Sequence, residues 1–231
     1  MTRRRDVSSI LNKVMTIVFA GASTLGFTST HADAPVNAGP QAPIVVEAES
    51  FSGQREDDVR QWHVIPAPDG APAVADADQR KQAAEGASNG SYIRLLPDTR
   101  RTHGDKLIRG ENFSPEAGKM AIISYSVHIE TPGRYYVWVR AFSTGSEDNG
   151  IHVGIDGEWP EHGQRMQWCQ GKNTWRWQCA QRTEKQHCGV PMEIYLDIET
   201  PGKKMIEFSM REDGFTMDQF LLTTDKNFRP E

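Results

Sequence analysis

Leucine is scarce in this chain. From residue 35 onward there are 6 leucines against 23 isoleucines and valines. β-Branched side chains pack well on a pleated surface and lose rotamer freedom in a helix, so this balance excludes a helical bundle or a coiled coil. Basic charge is also in deficit: 26 Lys and Arg stand against 31 Asp and Glu, a net charge of −5. That deficit argues against nucleic acid and anionic membrane surfaces as partners. The motifs H-E-x-x-H, the P-loop and G-x-G-x-x-G are all missing, which removes the common metalloprotease and nucleotide-binding readings. Cysteine is limited to Cys169, Cys179 and Cys188. An odd number leaves at least one thiol free or bonded to another chain, so an intermolecular disulfide through the odd cysteine stays open. Spacing does not say which two would pair. There are no close C-x-x-C pairs, so structural zinc is not expected.

What is present begins with a basic N-terminus, Arg3-Arg4-Arg5 and Lys13, followed by an apolar run from Val14 to Phe27 and by Ala32-Asp33-Ala34. This is the pattern of a secretory signal peptide over residues 1–34, too short in its apolar part to remain as a membrane span. The expectation is a secreted, periplasmic or cell-surface protein with no membrane contact after cleavage. The cleaved segment carries four basic and two acidic side chains, and its loss moves the net charge from −5 to −7. Residues 35–43 read as a disordered lead-in, 44–225 as one domain and 226–231 as a C-terminal tail.

Within that domain, apolar and polar residues alternate. Ala121, Ile123, Tyr125, Val127 and Ile129 interleave with Ser124, Ser126 and His128; Ile151, Val153 and Ile155 with His152 and Gly154; Met192, Ile194, Leu196 and Ile198 with Glu193, Tyr195, Asp197 and Glu199. A period of two predicts antiparallel strands with one face on a core and the other toward solvent. Ile129-Glu130-Thr131-Pro132-Gly133-Arg134 recurs as Ile198-Glu199-Thr200-Pro201-Gly202-Lys203. Pro then Gly suits a tight turn, and each copy is expected to close a hairpin. Ala67–Gln82 reads as a long loop, and no helical period stands out. Many strands, long loops and no helices predict an all-β jelly-roll β-sandwich.

Three groups of residues bear on chemistry. Gly86-Ala87-Ser88-Asn89-Gly90 has the letters of a nucleophile elbow, but a strand follows the serine instead of preceding it, so a turn is expected. The acidic pairs Glu147-Asp148 and Glu212-Asp213 could hold an acid and a base, although solvated charges are the commoner explanation. Five of the six tryptophans fall between 138 and 177. Trp138 sits in a strand and suits a core. Trp159, Trp168 and Trp175 fall in or beside loops, where flat rings near amides and charges suit stacking against sugars, and core packing is the alternative for each. Glu47 and Glu49 stand two apart on the expected first strand and so share a face. With Asp218 of the expected last strand they could supply hard oxygen ligands for calcium if the two strands are adjacent.

These segments, in this order, resemble carbohydrate-binding modules of families 6 and 35: Val46-Glu47-Ala48-Glu49; Ser88-Asn89-Gly90-Ser91-Tyr92-Ile93; Pro132-Gly133-Arg134 through Ala141; Ile151 through Gly157; and Pro201-Gly202 through Leu222. The resemblance implies a galactose-binding-like sandwich that binds glycans without hydrolysing them. It implies a structural Ca2+ held by Glu47, Glu49 and Asp218. It also implies a sugar site at one end of the sandwich using Tyr92, Asn149 and either Trp159 or Trp175, with Trp168 as a further candidate. The stretch Glu158–Val190 is longer than in such modules, and Ala67–Ala87 resembles an insertion.

The expected function is therefore an exported, non-catalytic module that binds a plant or algal polysaccharide or oligosaccharide through loop aromatics. Arg94, Arg140, Arg165, Arg176 and Arg211 would allow an acidic or sulfated glycan, since guanidinium recognises carboxylate and sulfate bidentately. Two alternatives stand beside it. One is a jelly-roll polysaccharide lyase or glycoside hydrolase with acid–base residues among His152, Tyr195, Glu147 and Asp213. The other is a cell-surface adhesion protein.

Overall fold

The computed structural model describes residues 41–55, 59–66 and 81–231. The signal segment, most of the lead-in and nearly all of the 67–82 loop expected from the sequence lie outside the described residues. Fourteen strands follow in chain order: β1 (Ile44–Glu47), β2 (Gly53–Gln54), β3 (Gln61–Ile65), β4 (Tyr92–Leu96), β5 (Ile123–Ile129), β6 (Gly133–Phe142) and β7 (Gly150–Ile155). The remainder are β8 (Met166–Gln167), β9 (Trp175–Gln178), β10 (Ala180–Gln181), β11 (Val190–Pro191), β12 (Tyr195–Ile198), β13 (Gly202–Met210) and β14 (Thr216–Thr223). One six-residue helix, α1 (Lys81–Gly86), is present among the described residues.

The strands form two antiparallel sheets. In the first, the order is β12-β6-β14-β4-β3, with β1 also on β14 and β9 also on β6. The second runs β11-β10-β8-β7-β13-β5-β2. Between them Tyr125, Phe208 and Phe220 meet edge to face, with centroids 4.9 to 5.9 Å apart. The Tyr125 hydroxyl donates to the Ala48 carbonyl at 2.7 Å, so the one polar atom of this buried ring is satisfied. Each such ring contributes roughly 2 to 3 kcal/mol by leaving water. The fold is an all-β sandwich, as the alternation predicted.

β5 follows the alternation residue by residue: Ile123, Tyr125, Val127 and Ile129 are buried while Ser126 and His128 are exposed. Two other expectations change. The Pro-Gly turns do not close hairpins, because β5 and β13 belong to the second sheet while β6 and β12 belong to the first. Each turn is an arch between sheets, and the two copies lie side by side: Ile198 pairs with Gly133 and Gly202 with Ile129. A pair of strands can bury its apolar faces against each other only by crossing the sandwich, and here that outweighs local pairing. β7, expected to be half exposed, has five of its six residues buried. The chain beyond it folds back over its outer face.

That fold-back starts at Asp156-Gly157. Asp156 (φ 50°) and Gly157 (φ 82°) occupy the two central positions of a tight turn. Ile155 N–H donates to the Glu158 carbonyl at 2.9 Å, and Glu158 N–H to the Ile155 carbonyl at 2.8 Å. Positive φ at both positions defines a type I′ turn, for which Asp-Gly is a preferred pair.

Cys169 and Cys188 form a disulfide, with Cα atoms 5.3 Å apart, that ties the long 158–190 excursion to itself. The odd thiol is Cys179, 1% exposed. Its Sγ–H donates to the Ile194 carbonyl at 3.2 Å, and burial pushes its pKa up to about 12. The expected route to an intermolecular disulfide is thereby closed: the thiol is protonated and out of reach of a second chain.

Candidate functional site

The loops joining the sheets gather at two ends. At the loop end, 97–122, 143–149 and 211–215 meet, and the acidic pairs of the sequence lie here. They are not solvated. Asp213 is 0% exposed, and its Oδ2 accepts from Arg60 Nη2 at 3.1 Å, Thr99 N–H at 2.8 Å and the Thr99 hydroxyl at 2.8 Å. Glu147 is ion-paired with Arg100, and its other oxygen lies against His103 Nδ1. Asp148 accepts from Ser143, Thr144 and Gly145 and so shapes its own loop. Glu212 pairs with Arg211 and accepts the Asn149 N–H at 2.9 Å; burial raises its pKa and Arg211 partly offsets the rise. A buried charge is retained only with such partners. These carboxylates are structural fasteners that close the end of the sandwich.

His152 is equally buried. Its Nε2 faces the Ser114 carbonyl at 3.2 Å, and Nδ1 accepts the Arg165 N–H at 3.1 Å, which assigns the proton to Nε2. Burial depresses its pKa to about 4. Of the four residues considered for acid–base chemistry, Glu147, His152 and Asp213 are therefore engaged in the interior. Tyr195 lies at the arch end, opposite them, and the four form no common site.

The sugar-site residues expected from the resemblance are likewise dispersed. Trp168 is 1% exposed and packs against Phe215, with ring centroids 5.1 Å apart. Its Nε1–H donates to the Arg176 carbonyl. It belongs to the core and offers no face to a ligand, because the chain after β8 turns it inward between the sheets. Asn149 is 4% exposed: its backbone binds Glu212 and Trp168, and its side-chain oxygen accepts from Gln167. Tyr92 is 1% exposed and meets Trp175 edge to face at 5.7 Å. Trp175 is half-buried and donates to the Ala83 carbonyl at 2.9 Å, holding α1 against the first sheet. Trp159 is half-buried on the other sheet. The type I′ turn throws its indole across Gly154, where any Cβ would come within 2.8 Å of the ring. A Cβ at Gly118 would also come within 2.6 Å of this ring, so Gly154 and Gly118 together form the seat of Trp159.

Glu47 ends β1, but Ala48–Ser50 is a 3-10 turn, so Glu49 leaves the strand and the shared-face argument does not hold. The acids still converge, because β1 pairs with β14 and places Glu47 opposite Gln219. Burial raises the pKa of Glu49, and Glu47 and Asp218 add to the rise. Ser88, the serine of the apparent elbow, serves this cluster: its N–H donates to Asp218 at 2.8 Å and its hydroxyl to Glu47 at 3.1 Å. Arg140 occupies the other Asp218 oxygen. Buried Oε2 atoms of Glu47 and Glu49 have no hydrogen-bond partner. Those two oxygens fit a hard divalent cation. Asp218 would join them as a ligand only by giving up Arg140, and among the described residues no three side chains are already grouped as a metal set.

The feature that sequence reasoning did not find is a pocket of about 420 Å³ at the arch end. Ile155, Pro160 and Ile198 are apolar parts of its lining, and His162, Tyr195 and Glu199 are polar parts. Its wall is the polar face of the Met192–Glu199 alternation, which had been expected to face solvent. The 156–163 turn folds over that face and converts it into a concavity.

Residues 73–230 match the glycosyl hydrolase family 115 C-terminal domain. The chain belongs to this family. It is 54% identical over 187 residues to the uncharacterized protein P23 of Formosa agariphila, an alignment covering 81% of this chain and 45% of that protein. The chain thus spans less than half of the curated relative it matches. Among solved structures it is similar to a family 35 carbohydrate binding module from Clostridium thermocellum, at 12% identity and TM-score 0.44, covering 80% of this chain and 99% of that one. It is also similar to a CBM35 from Paenibacillus barcinonensis, at 12% identity and TM-score 0.45, covering 79% and 99%. A third is the C-terminal CBM6 of a marine laminarinase from Zobellia galactanivorans, at 12% identity and TM-score 0.39, covering 79% and 100%.

Proposed function

We propose that this domain is an exported, non-catalytic module that binds a plant or algal polysaccharide. The observation that carries this reading is Trp159: a half-buried indole seated on Gly154, flanked in the chain by two residues that line the pocket, Glu158 and Pro160. A large ring seated against glycine backbone and left partly in water is suited to stack on the C–H faces of a pyranose. Trp175, also half-buried, would be a second platform only on the ring face that Arg140, standing over it at 5.4 Å from the centroid, leaves free. Glu147, Glu212 and Asp213, the acids that the sequence offered for hydrolysis, are committed to buried pairs, which favours retention of a glycan over its cleavage by them. Glu47 and Glu49, with Asp218 beside them, would hold a structural calcium ion, and the ion would neutralise two buried carboxylate oxygens that the protein leaves unpaired.

Binding to a panel of plant and algal polysaccharides, read together with reducing-sugar release and absorbance of unsaturated products, tests the proposal. Retention without products is the expected result; products would establish the lyase or hydrolase alternative. Trp159→Ala should weaken retention while the melting transition stays cooperative. Melting with calcium and with chelator tests the metal, and an unchanged melting temperature would remove Glu47 and Glu49 as ligands.

A further inference from the structure

The arch-end pocket contains a built stack. His162 lies on the Tyr195 ring with centroids 4.1 Å apart and planes 21° from parallel. The Arg134 guanidinium carbon stands 3.7 Å from the same centroid. Two groups that close to one ring fit only on opposite faces, so Arg134, Tyr195 and His162 form three layers with Arg134 and His162 at the two ends. Both ends of the stack are fixed. Arg134 donates twice to Asp197, at 2.8 and 2.9 Å, and His162 Nδ1 faces the Glu193 carbonyl at 3.2 Å. The outer imidazole is 40% exposed.

Several polar atoms around this platform have no protein partner among the described residues: His162 Nε2, the Tyr195 hydroxyl, and the carboxylates of Glu158 and Glu199. The positive charges nearby are already committed. Lys204 is held by Asp156 at 3.4 Å and by the Thr200 hydroxyl at 3.1 Å, and Arg134 is held by Asp197. Among the described residues the pocket therefore presents two uncompensated carboxylates and no free cation. The arginines that the sequence offered for anionic glycans are also mostly committed: Arg94 to Asp98, Arg140 to Asp218, Arg165 to Glu161 and Arg211 to Glu212.

We infer that this pocket is a binding site for a neutral sugar residue, with the outer face of His162 as the stacking platform. The ligand's hydroxyls donate to Glu158 and Glu199 and bond to His162 Nε2 and the Tyr195 hydroxyl. Its volume falls within the range of about 300 to 1,000 Å³ common to small-ligand sites. The apolar side chains of Ile155, Pro160 and Ile198 complete an amphipathic lining suited to a pyranose, which has apolar C–H faces and a polar rim. Uronate and sulfate esters are disfavoured, because two unpaired carboxylates border the concavity they would have to enter. This inference rests on the glycan-binding reading above and adds the site and the charge class of its ligand.

The test is isothermal titration of the full chain with neutral hexasaccharides of glucose, galactose and xylose, with oligogalacturonate and with chitosan oligosaccharide. The proteins are wild type, His162→Ala, Glu199→Lys and Trp159→Ala, each checked for an unchanged near-ultraviolet spectrum. At least one neutral oligosaccharide should bind, with affinity about tenfold weaker in His162→Ala, the loss expected when one aromatic contact is removed. Glu199→Lys should admit oligogalacturonate, which wild type refuses. Loss of neutral-sugar binding in Trp159→Ala but not in His162→Ala would overturn the pocket and leave glycan binding standing. Preference of wild type for oligogalacturonate or for chitosan would overturn the charge class. Absence of binding to every oligosaccharide would overturn both this inference and the reading on which it rests.

Discussion

Protonation of His152 should set the acid limit of this fold, and its size follows from the geometry. The imidazole is 0% exposed, with Nε2–H donating to Ser114 and Nδ1 accepting from the Arg165 N–H. A second proton would turn Nδ1 into a donor facing a donor while burying a charge, which is why burial depresses the pKa from 6.5 to about 4. In the unfolded chain the same imidazole takes up its proton near its ordinary value. Between these two values the unfolded state binds more protons than the folded state, so stability rises with pH through this window and falls as pH drops through it. At about 1.4 kcal/mol per pH unit, the loss between about pH 7 and about pH 4 is about 3 kcal/mol, a large share of a domain's net stability. Glu49, Glu212 and Asp218 have raised pKa values and contribute with the opposite sign, losing stability as pH rises. A single protein's pH profile would mix the two. The assay is therefore urea unfolding of wild type and of His152→Gln, whose amide can still donate to Ser114, at several pH values across the window. The variant cancels the carboxylate contribution, and the difference between the two curves should change by about 3 kcal/mol. A difference constant to within about 0.5 kcal/mol would refute the assignment of the acid limit to His152.

Three further outcomes are expected. Replacing Cys169 and Cys188 by alanine opens a loop with a sequence separation of 19; on loop entropy this should cost about 3 kcal/mol, read as a lower urea midpoint, and a cost under about 1 kcal/mol would count against the entropic account. Asp213→Asn leaves Arg60 buried without its counter-charge and should destabilise by about 3 to 5 kcal/mol, whereas a neutral result would mean that water reaches Arg60. Gly154→Ala places a methyl group 2.8 Å from the Trp159 ring and 2.7 Å from the Glu158 carbonyl; it should cost about 1 to 3 kcal/mol and expose an additional indole to acrylamide quenching, and unchanged quenching would show that glycine is not needed as the seat.

Several of these features were legible in the chain itself. The excess of isoleucine and valine over leucine, together with period-two alternation, determined an all-β sandwich, and β5 matches that alternation at every position. Asp156-Gly157, which lay at the end of a segment resembling the binding modules, carries a turn signal of its own, because few other pairs accept positive φ twice in succession. Glu47 and Glu49 were set against Asp218 through a shared strand face, whereas a 3-10 turn takes Glu49 out of the strand. Local pattern reports which face of a strand is apolar; it does not report what covers the opposite face. For that reason β7 was expected to be half exposed, Trp168 was left open between sugar stacking and core packing when it lies between the sheets, and Glu147 and Asp213 were read as solvated or catalytic when they fasten the loop end.

The repeated Pro-Gly segments show the same division. Their sequence determined two tight reversals, but only the tertiary structure decided that each crosses between sheets, since that choice depends on long-range burial rather than on turn chemistry. The pocket is the furthest from the sequence. Tyr195 and Glu199 were visible as the polar face of a strand, and His162 as one residue in an enlarged segment. Their juxtaposition exists because the 156–163 turn, reversed by Asp156-Gly157, folds over an edge strand some forty residues later in the chain. Composition and periodicity determined the scaffold of this protein, and contacts between distant segments decided where a ligand could bind.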